Sequence, residues 1–407
     1  MPMATLRSAL FASLAAIAVL PTFSPPASAQ AAPTIRVGIA IARPQIRVGS
    51  STPAIIRNEQ GQQIGQLPTQ QGSYAQPSAN GQVQLGSFRA RQIWLEPTND
   101  GLVWIGDRWY RGRLQLILDQ GAVTAINHVG LESYLYSVVG SEVYASWPTE
   151  ALKAQAVAAR SFVLYRRDRN RDPRFDVGNS TTWQVYKGIA SEAPTTIAAV
   201  NATAGQVLTY NNRVIEAVFH ASSGGHTENV EDVWSKPLPY LRGVQDYDQN
   251  APVFNWSQSF SVQELSAKLT GVGRILQIEP LQTTPFGRIR DLRITGDRGS
   301  RVVKGDEVRR ALNLRSSLFT VSSEASSNWF DFLRPNPAPQ PPSQFTIIGR
   351  GYGHGLGLSQ WGAYGLASQG VDYRRILSHF YQNTNLSPLG GVIAQNSSGG
   401  DLISAQD

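Results

Sequence analysis

Glu142 is the residue in this sequence best placed to move a proton. The run Ser141-Glu142-Val143-Tyr144-Ala145-Ser146-Trp147 sets one carboxyl beside two aromatic side chains where two helical segments meet. Burial among aromatic rings raises a carboxyl pKa, as an acid that donates near neutrality requires, whereas a helix N-terminus and the charge of Lys153 lower it. The residues alone leave two readings open: Glu142 is a general acid, or it assists capping and pairs with Lys153. Tyr144, Trp147, Trp183, Tyr186, Tyr352 and Trp361 could form platforms for sugar rings, although about half of such aromatics belong to a core.

Two other chemistries are tested and fail. The glycine-rich run Gly349 to Gly357 lacks the G-x-G-x-x-G pattern, because Leu358 stands where the third glycine belongs, and no Lys-Ser/Thr closes a phosphate loop. Alternating glycines instead let an extended segment approach another backbone or a sugar ring, with His354 projecting from it. The five histidines, His128, His220, His226, His354 and His379, have no tight metal-ligand spacing; His220 and His226 flank one turn and could approach each other. Cysteine is absent, so thiolate zinc sites and disulfides are excluded. No metal or cofactor is expected.

The elements that must hold these residues suggest a mixed α+β protein: a β-rich N-terminal part, then a mixed core with a helix pair flanking the Glu142 loop. Thr34 to Ala40 and Gly112 to Leu118 alternate as strands, and Asp119-Gln120-Gly121 turns the latter into Ala122 to Val129. Asn58 to Gly61 and Asn99 to Gly101 read as turns, and the polar stretch Gln70 to Gly86 as an exposed loop. Leu131, Leu135 and Val138 have helical spacing, with Gly140 able to end the helix. Ser146 and Pro148 suit the start of a second helix, whose stripe is Leu152, Ala156, Ala159 and Val163. Lys153 and Arg160 share another face of it. A helix near Thr195 to Thr203 is followed by a strand to Tyr210 and another from Val214 to Phe219. Gln263 to Thr270 and Lys304 to Leu312 read as short helices, and Arg334 to Pro342 as a polyproline-type insert.

At this point the motifs resemble a known family. Leu131 to Glu142, followed by Trp147-Pro148-Thr149-Glu150-Ala151-Leu152-Lys153-Ala154-Gln155-Ala156-Val157-Ala158-Ala159-Arg160, is similar to the signature of the stage II sporulation protein D family (SpoIID/LytB). Trp183-Gln184-Val185-Tyr186, Phe219 to Glu228, Leu314 to Phe319 and Gly351 to Ala363 agree in order, so the likeness runs from about Ile35 to Leu386.

The resemblance implies peptidoglycan remodelling: lytic transglycosylation of glycan strands, preferably stripped of stem peptides, between N-acetylmuramic acid and N-acetylglucosamine. It implies that Glu142 is the catalytic acid and base. One carboxyl suffices, because the sugar's own C6 hydroxyl closes a 1,6-anhydro ring in place of attacking water. Lys153, Thr227 and Asp248 correspond to family functional positions, although the serine expected after Asp248 is Ala251 here; His354, Gln360, Tyr144, Gln184 and Tyr186 complete the expected glycan-binding set. The zinc cluster of some relatives is replaced by Gly178-Asn179-Ser180-Thr181-Thr182, without thiolate or imidazole. Two alternatives stand beside this: a non-catalytic glycan-binding amidase enhancer, and a hydrolase using Asp248 or Asp232 as second carboxylate.

Composition is consistent with an envelope setting. Arg7 precedes an apolar run from Ala9 to Leu20, and Pro25-Pro26-Ala27-Ser28-Ala29 supplies a small-x-small cleavage pattern, so an export signal cut after Ala29 is expected. The apolar run, about 12 residues, is shorter than the roughly 20 a spanning helix needs. Without residues 1–29, which carry one Arg and no acid, the net charge falls from +7 to +6, suiting an anionic partner. The expected partners are glycan strands and a cell-wall amidase, with no nucleic acid and at most peripheral membrane contact. The expected organisation is a signal over 1–29, a β-rich part over 30–120, a family-like domain over 121–390 with an insert at 334–343, and a disordered tail over 391–407.

Overall fold

In the computed structural model the described residues are 33–234, 236–325 and 342–391, together with Met1. The expected export signal, the proline-rich stretch before Pro342 and the tail from Asn396 lie outside them. Two antiparallel-dominated sheets form the N-terminal half. The first has seven strands in the order Val177–Gly178, Thr34–Arg43, Ala122–Gly130, Arg113–Asp119, Gln92–Pro97, Ala54–Arg57 and Gln63–Leu67. The second has six: Arg108–Tyr110, Val103–Ile105, Ile46–Ser50, Ser73–Pro77, Val83–Leu85 and Phe88–Ala90. Period-two alternation drives both, since Leu114 and Leu116 of one sheet and Val48, Ala75 and Ile105 of the other are buried in a shared apolar core. Asp119 pairs with Ala122 across the expected hairpin.

The segment Gln70 to Gly86 is not a loop. It contributes Ser73–Pro77 and Val83–Leu85, which pair with one another. Only Ala75, Val83 and Leu85 turn inward there, and the intervening polar residues face water, which makes the segment read as irregular.

Helix α1 spans Leu131–Glu142 and α2 Thr149–Arg169. Two details differ from expectation. Gly140 lies inside α1 instead of ending it: a Cβ there would overlap the Ser191 carbonyl oxygen, so the glycine admits a close neighbour, and Val143 with φ −134° terminates the helix. The N-cap of α2 is Pro148 with ψ 138°, whose carbonyl accepts from the Ala151 and Leu152 N–H groups; exposed Ser146 stands outside it. Gly140→Ala is therefore expected to destabilise by about 1–2 kcal/mol, overpacking outweighing the helix preference for alanine, and a denaturant titration measures this.

The two helices are bolted together by charge. Arg160 is fully buried on α2 and donates from Nε to Glu132 Oε1 at 3.0 Å and from Nη2 to Oε2 at 2.6 Å. It also reaches the Gln206 and Val200 carbonyls. Helix α3 (Pro194–Ala202) packs beside them, and Gln206–Tyr210 follows as a strand. Val214 to Phe219 is not one strand: it divides between Arg213–Val214 and Phe219–His220, because the latter pairs in parallel with Leu358–Ser359.

After the short α4 (Val230–Val233), a second apolar core gathers residues between Trp256 and Ile347, including Leu265, Leu292, Val308 and Phe345. Its helices are α5 (Val262–Lys268), held by a Ser261/Glu264 capping box, and α6 (Gly305–Leu312). The chain then returns to the first core through α7 (Gln360–Ser368) and α8 (Tyr373–Phe380). The described residues from Pro33 onward form one unit by their contacts. No helix among the described residues is long and apolar enough to cross a membrane.

Candidate active site

Glu142 is the last residue of α1, partly buried where three segments converge. The Val185 N–H donates to its Oε1 at 3.1 Å, and Gln360 Nε2 donates to Oε2 at 3.4 Å. Burial pushes the Glu142 carboxyl up from its ordinary value; the Val185 and Gln360 donors and the charge of Lys187 oppose this without cancelling it. The position at a helix C-terminus, where the macrodipole is negative, acts in the same direction as burial. Of the lowering influences expected from sequence, Lys153 is not in place: it pairs with Glu150 at 2.8 Å and lies near the Tyr373 ring.

An aromatic cluster joins the loop after Glu142 to the helix that supplies Gln360. Tyr144 is 65% exposed, with its ring centroid 5.9 Å from Trp147 and 6.4 Å from Trp361. Trp147 in turn meets Trp361 at 4.9 Å and Tyr364 at 5.3 Å. Gln360, which holds Glu142, directly precedes Trp361 at the start of α7, capped by the Ser359 hydroxyl accepting from Gly362 N–H. The cluster can thus offer a stacking surface beside a protonated acid.

Gln184 and Tyr186, expected to touch glycan, are buried on either side of Val185. Gln184 donates to the Ala159 carbonyl and accepts from Tyr134 Oη. Tyr186 donates to Asn127 Oδ1 at 2.8 Å and packs between Tyr110 and Tyr134. Their contacts fix the backbone amide that grips Glu142.

Thr227 and Asp248 are also buried. The Thr227 hydroxyl accepts from Val244 N–H at 2.8 Å. Asp248 accepts from Ser222 Oγ at 2.5 Å and Gly224 N–H at 2.8 Å. Sequence reasoning passed over its neighbour Asp246, which accepts from Ser223 Oγ at 2.5 Å; the spacing Asp246-Tyr247-Asp248 was the available signal. Burial and the nearby Asp248 carboxyl raise the Asp246 pKa. Together the two acids brace the Ser222–Gly224 turn.

His354 lies apart from the contacts to Glu142. Its Nε2 donates to the Phe219 carbonyl while Nδ1 accepts from Leu356 N–H, so the ring is neutral; burial and Arg288 push its pKa down to about 4. It neighbours His220, with centroids 5.1 Å apart, whereas His226 stacks on Phe286. The glycines around it permit backbone approach, since a Cβ on Gly351 or Gly357 would run into the Ser222 or Val218 carbonyl. Arg288, also overlooked, is buried there and donates to the Ser223 carbonyl at 2.7 Å and the Gly353 carbonyl at 3.3 Å. The structure therefore brings Glu142, Gln360 and Tyr144 together, with Gln184 and Tyr186 behind them; Lys153, Thr227, Asp248 and His354 make their contacts elsewhere.

Comparison with known proteins agrees with this arrangement of motifs. Residues 119–210 match the family described as Stage II sporulation protein, and residues 238–357 match a domain of unknown function. The second match encloses the second apolar core. The chain is 32% identical over 283 residues to the stage II sporulation protein D of Bacillus amyloliquefaciens, covering 65% of this chain and 76% of that protein. It is 31% identical over 300 residues to an uncharacterised protein of Brachyspira hyodysenteriae, covering 71% and 75% respectively. An amidase enhancer of Bacillus subtilis is 30% identical over 297 residues, 62% of this chain and 40% of that protein.

Proposed function

Because the chain belongs to the stage II sporulation protein D family, we propose that it is an exported cell-wall enzyme that cleaves peptidoglycan glycan strands by lytic transglycosylation. The observation that carries this reading is the Glu142 carboxyl, held by two donors and raised in pKa, with an aromatic cluster on the loop that follows it. The protonated carboxyl gives its proton to the oxygen joining muramic acid to N-acetylglucosamine, and that bond breaks with the oxygen leaving on the glucosamine. The resulting carboxylate then takes the proton of the muramic C6 hydroxyl as its oxygen bonds to C1, closing the 1,6-anhydro ring and restoring the acid. A hydrolase needs a second carboxylate to activate water or attack the sugar. The carboxylates weighed for that part are held by other groups, Asp248 by Ser222 and Gly224 and Asp232 by Asn229, which supports the intramolecular nucleophile.

Digesting peptide-free glycan and weighing the products tests the reading: anhydromuramic ends are expected, and hydrated reducing ends would overturn it. The alkaline limb of the activity profile should follow ionisation of Glu142. Since the Gln360 amide favours the ionised form, Gln360→Leu is expected to shift that limb to higher pH, as rate measurements across pH would register.

A second reading, a non-catalytic glycan-binding enhancer of a cell-wall amidase, is favoured by one observation. Four open clefts among the described residues are lined by segments that do not include Glu142. Under that reading the Glu142→Gln protein stimulates an amidase on intact sacculi as well as the parent does.

A further inference from the structure

The outward face of the six-stranded sheet takes no part in the contacts around Glu142, yet it carries an arrangement of its own. Register places Trp109 opposite Trp104, Trp104 opposite Gly49, and Arg47 opposite Tyr74. Further along, Gln84 stands opposite Arg89. The alternating positions Val48, Ala75, Leu85, Val103 and Ile105 are buried, so this set points to solvent. Tyr74 is 53% exposed, and Arg47 and Arg89 are exposed. Trp104 and Trp109 are half-buried against each other, with centroids 5.2 Å apart and planes at 70°.

Gly49 sits next to Trp104 beneath the Gln71–Gly72 backbone, and a Cβ on Gly72 would come within 2.8 Å of Arg47 Nε, so the guanidinium lies across Gly72. The exposed guanidinium therefore shares one outward face with the Trp104–Trp109 pair and the Tyr74 ring. None of these facing positions is acidic. Arg47 forms no ion pair among the described residues.

Aromatic faces of this kind suit the apolar faces of pyranose rings, and an unpaired guanidinium recognises a carboxylate in bidentate fashion. A chain alternating neutral and carboxylate-bearing sugars offers a partner to both the rings and the guanidinium. We infer that this face is a second glycan-binding platform for carboxylate-bearing peptidoglycan strands, with Trp104, Trp109 and Tyr74 against sugar rings and Arg47 on a lactyl carboxylate. The choice of ligand rests on the proposed function; the platform lies outside residues 119–210 and 238–357, which the two family models match.

Cosedimentation tests it, using the full chain carrying Glu142→Gln so that the polymer stays intact. The probes are insoluble sacculi stripped of peptides and teichoic acid, and chitin, which has the same backbone without lactyl groups. Trp104→Ala and Tyr74→Ala are each expected to weaken binding to both polymers by about tenfold. Arg47→Gln is expected to weaken binding to sacculi and leave chitin binding unchanged, with thermal melts confirming folding. The inference is overturned if folded variants sediment as the parent does, if they alter self-association instead, or if single-stranded oligonucleotide displaces the protein more readily than soluble glycan fragments do. Binding is read without cleavage, so a wild type that binds through these residues but releases no anhydromuramic ends would sink the proposed function and leave the platform standing.

Discussion

Glu142→Gln is expected to cut glycan cleavage by about 10²–10⁴-fold, the usual contribution of a positioned general acid, and at the same time to make the protein more stable above neutral pH. The second effect follows from the raised pKa of the folded-state carboxyl. A group whose folded pKa exceeds its unfolded one contributes its stabilisation fully below the unfolded pKa and loses it as pH rises through the folded value. In the wild type, then, the folded state progressively carries an unfavourable buried charge as pH climbs, and the amide of the variant never acquires one. Melting temperatures of the two proteins should diverge with increasing pH, the variant being higher. A variant that cleaves as the wild type does, or that melts lower at pH 8, would contradict this account of Glu142. Retention of amidase stimulation alongside complete loss of anhydromuramic products would instead show two separable activities on one scaffold.

Arg160→Ala is expected to destabilise the fold by about 3–5 kcal/mol, the cost of leaving a buried ionic partner uncompensated. Arg160 is among the largest fully buried side chains, and its removal strips Glu132 of two hydrogen bonds and the Gln206 and Val200 carbonyls of one each. Glu132 keeps the Gly205 N–H and some contact with water, which places the expectation toward the lower end of that range. Replacing both partners by apolar residues, Arg160→Met with Glu132→Leu, should recover much of the loss, because the two desolvation costs disappear together. Urea midpoints of the two single variants and the double variant check this. Additive losses would show that the pair is not coupled.

The helix pair and the position of its acid were legible because helical spacing and a long motif coincide between Leu131 and Arg160. The polar strands Ser73–Pro77 and Val83–Leu85 were not, since an outward face made of Gln and Tyr masks the period-two signal carried by three inward residues. Gly140 misled for a related reason: a glycine in a helix reads as an ending, and only the approach of the Ser191 carbonyl reveals the other use. At the site itself, Gln360 was legible from its motif, whereas Val185 contributes a backbone amide that any residue except proline would also offer. The charges acting on Glu142 were misjudged because sequence proximity suggested Lys153, while folding gives that lysine to Glu150 and brings Lys187 within electrostatic reach. The roles of Asp246, Asp248 and Arg288 depend on contacts between distant segments, which periodicity does not encode.

The Glu142 carboxyl and its two donors are separated by 43 and 218 residues of chain. A chain emerging in sequence order therefore presents the glutamate long before Gln360 follows it. The second donor arrives only with α7, near the end of the polypeptide, a form of timing written into connectivity alone.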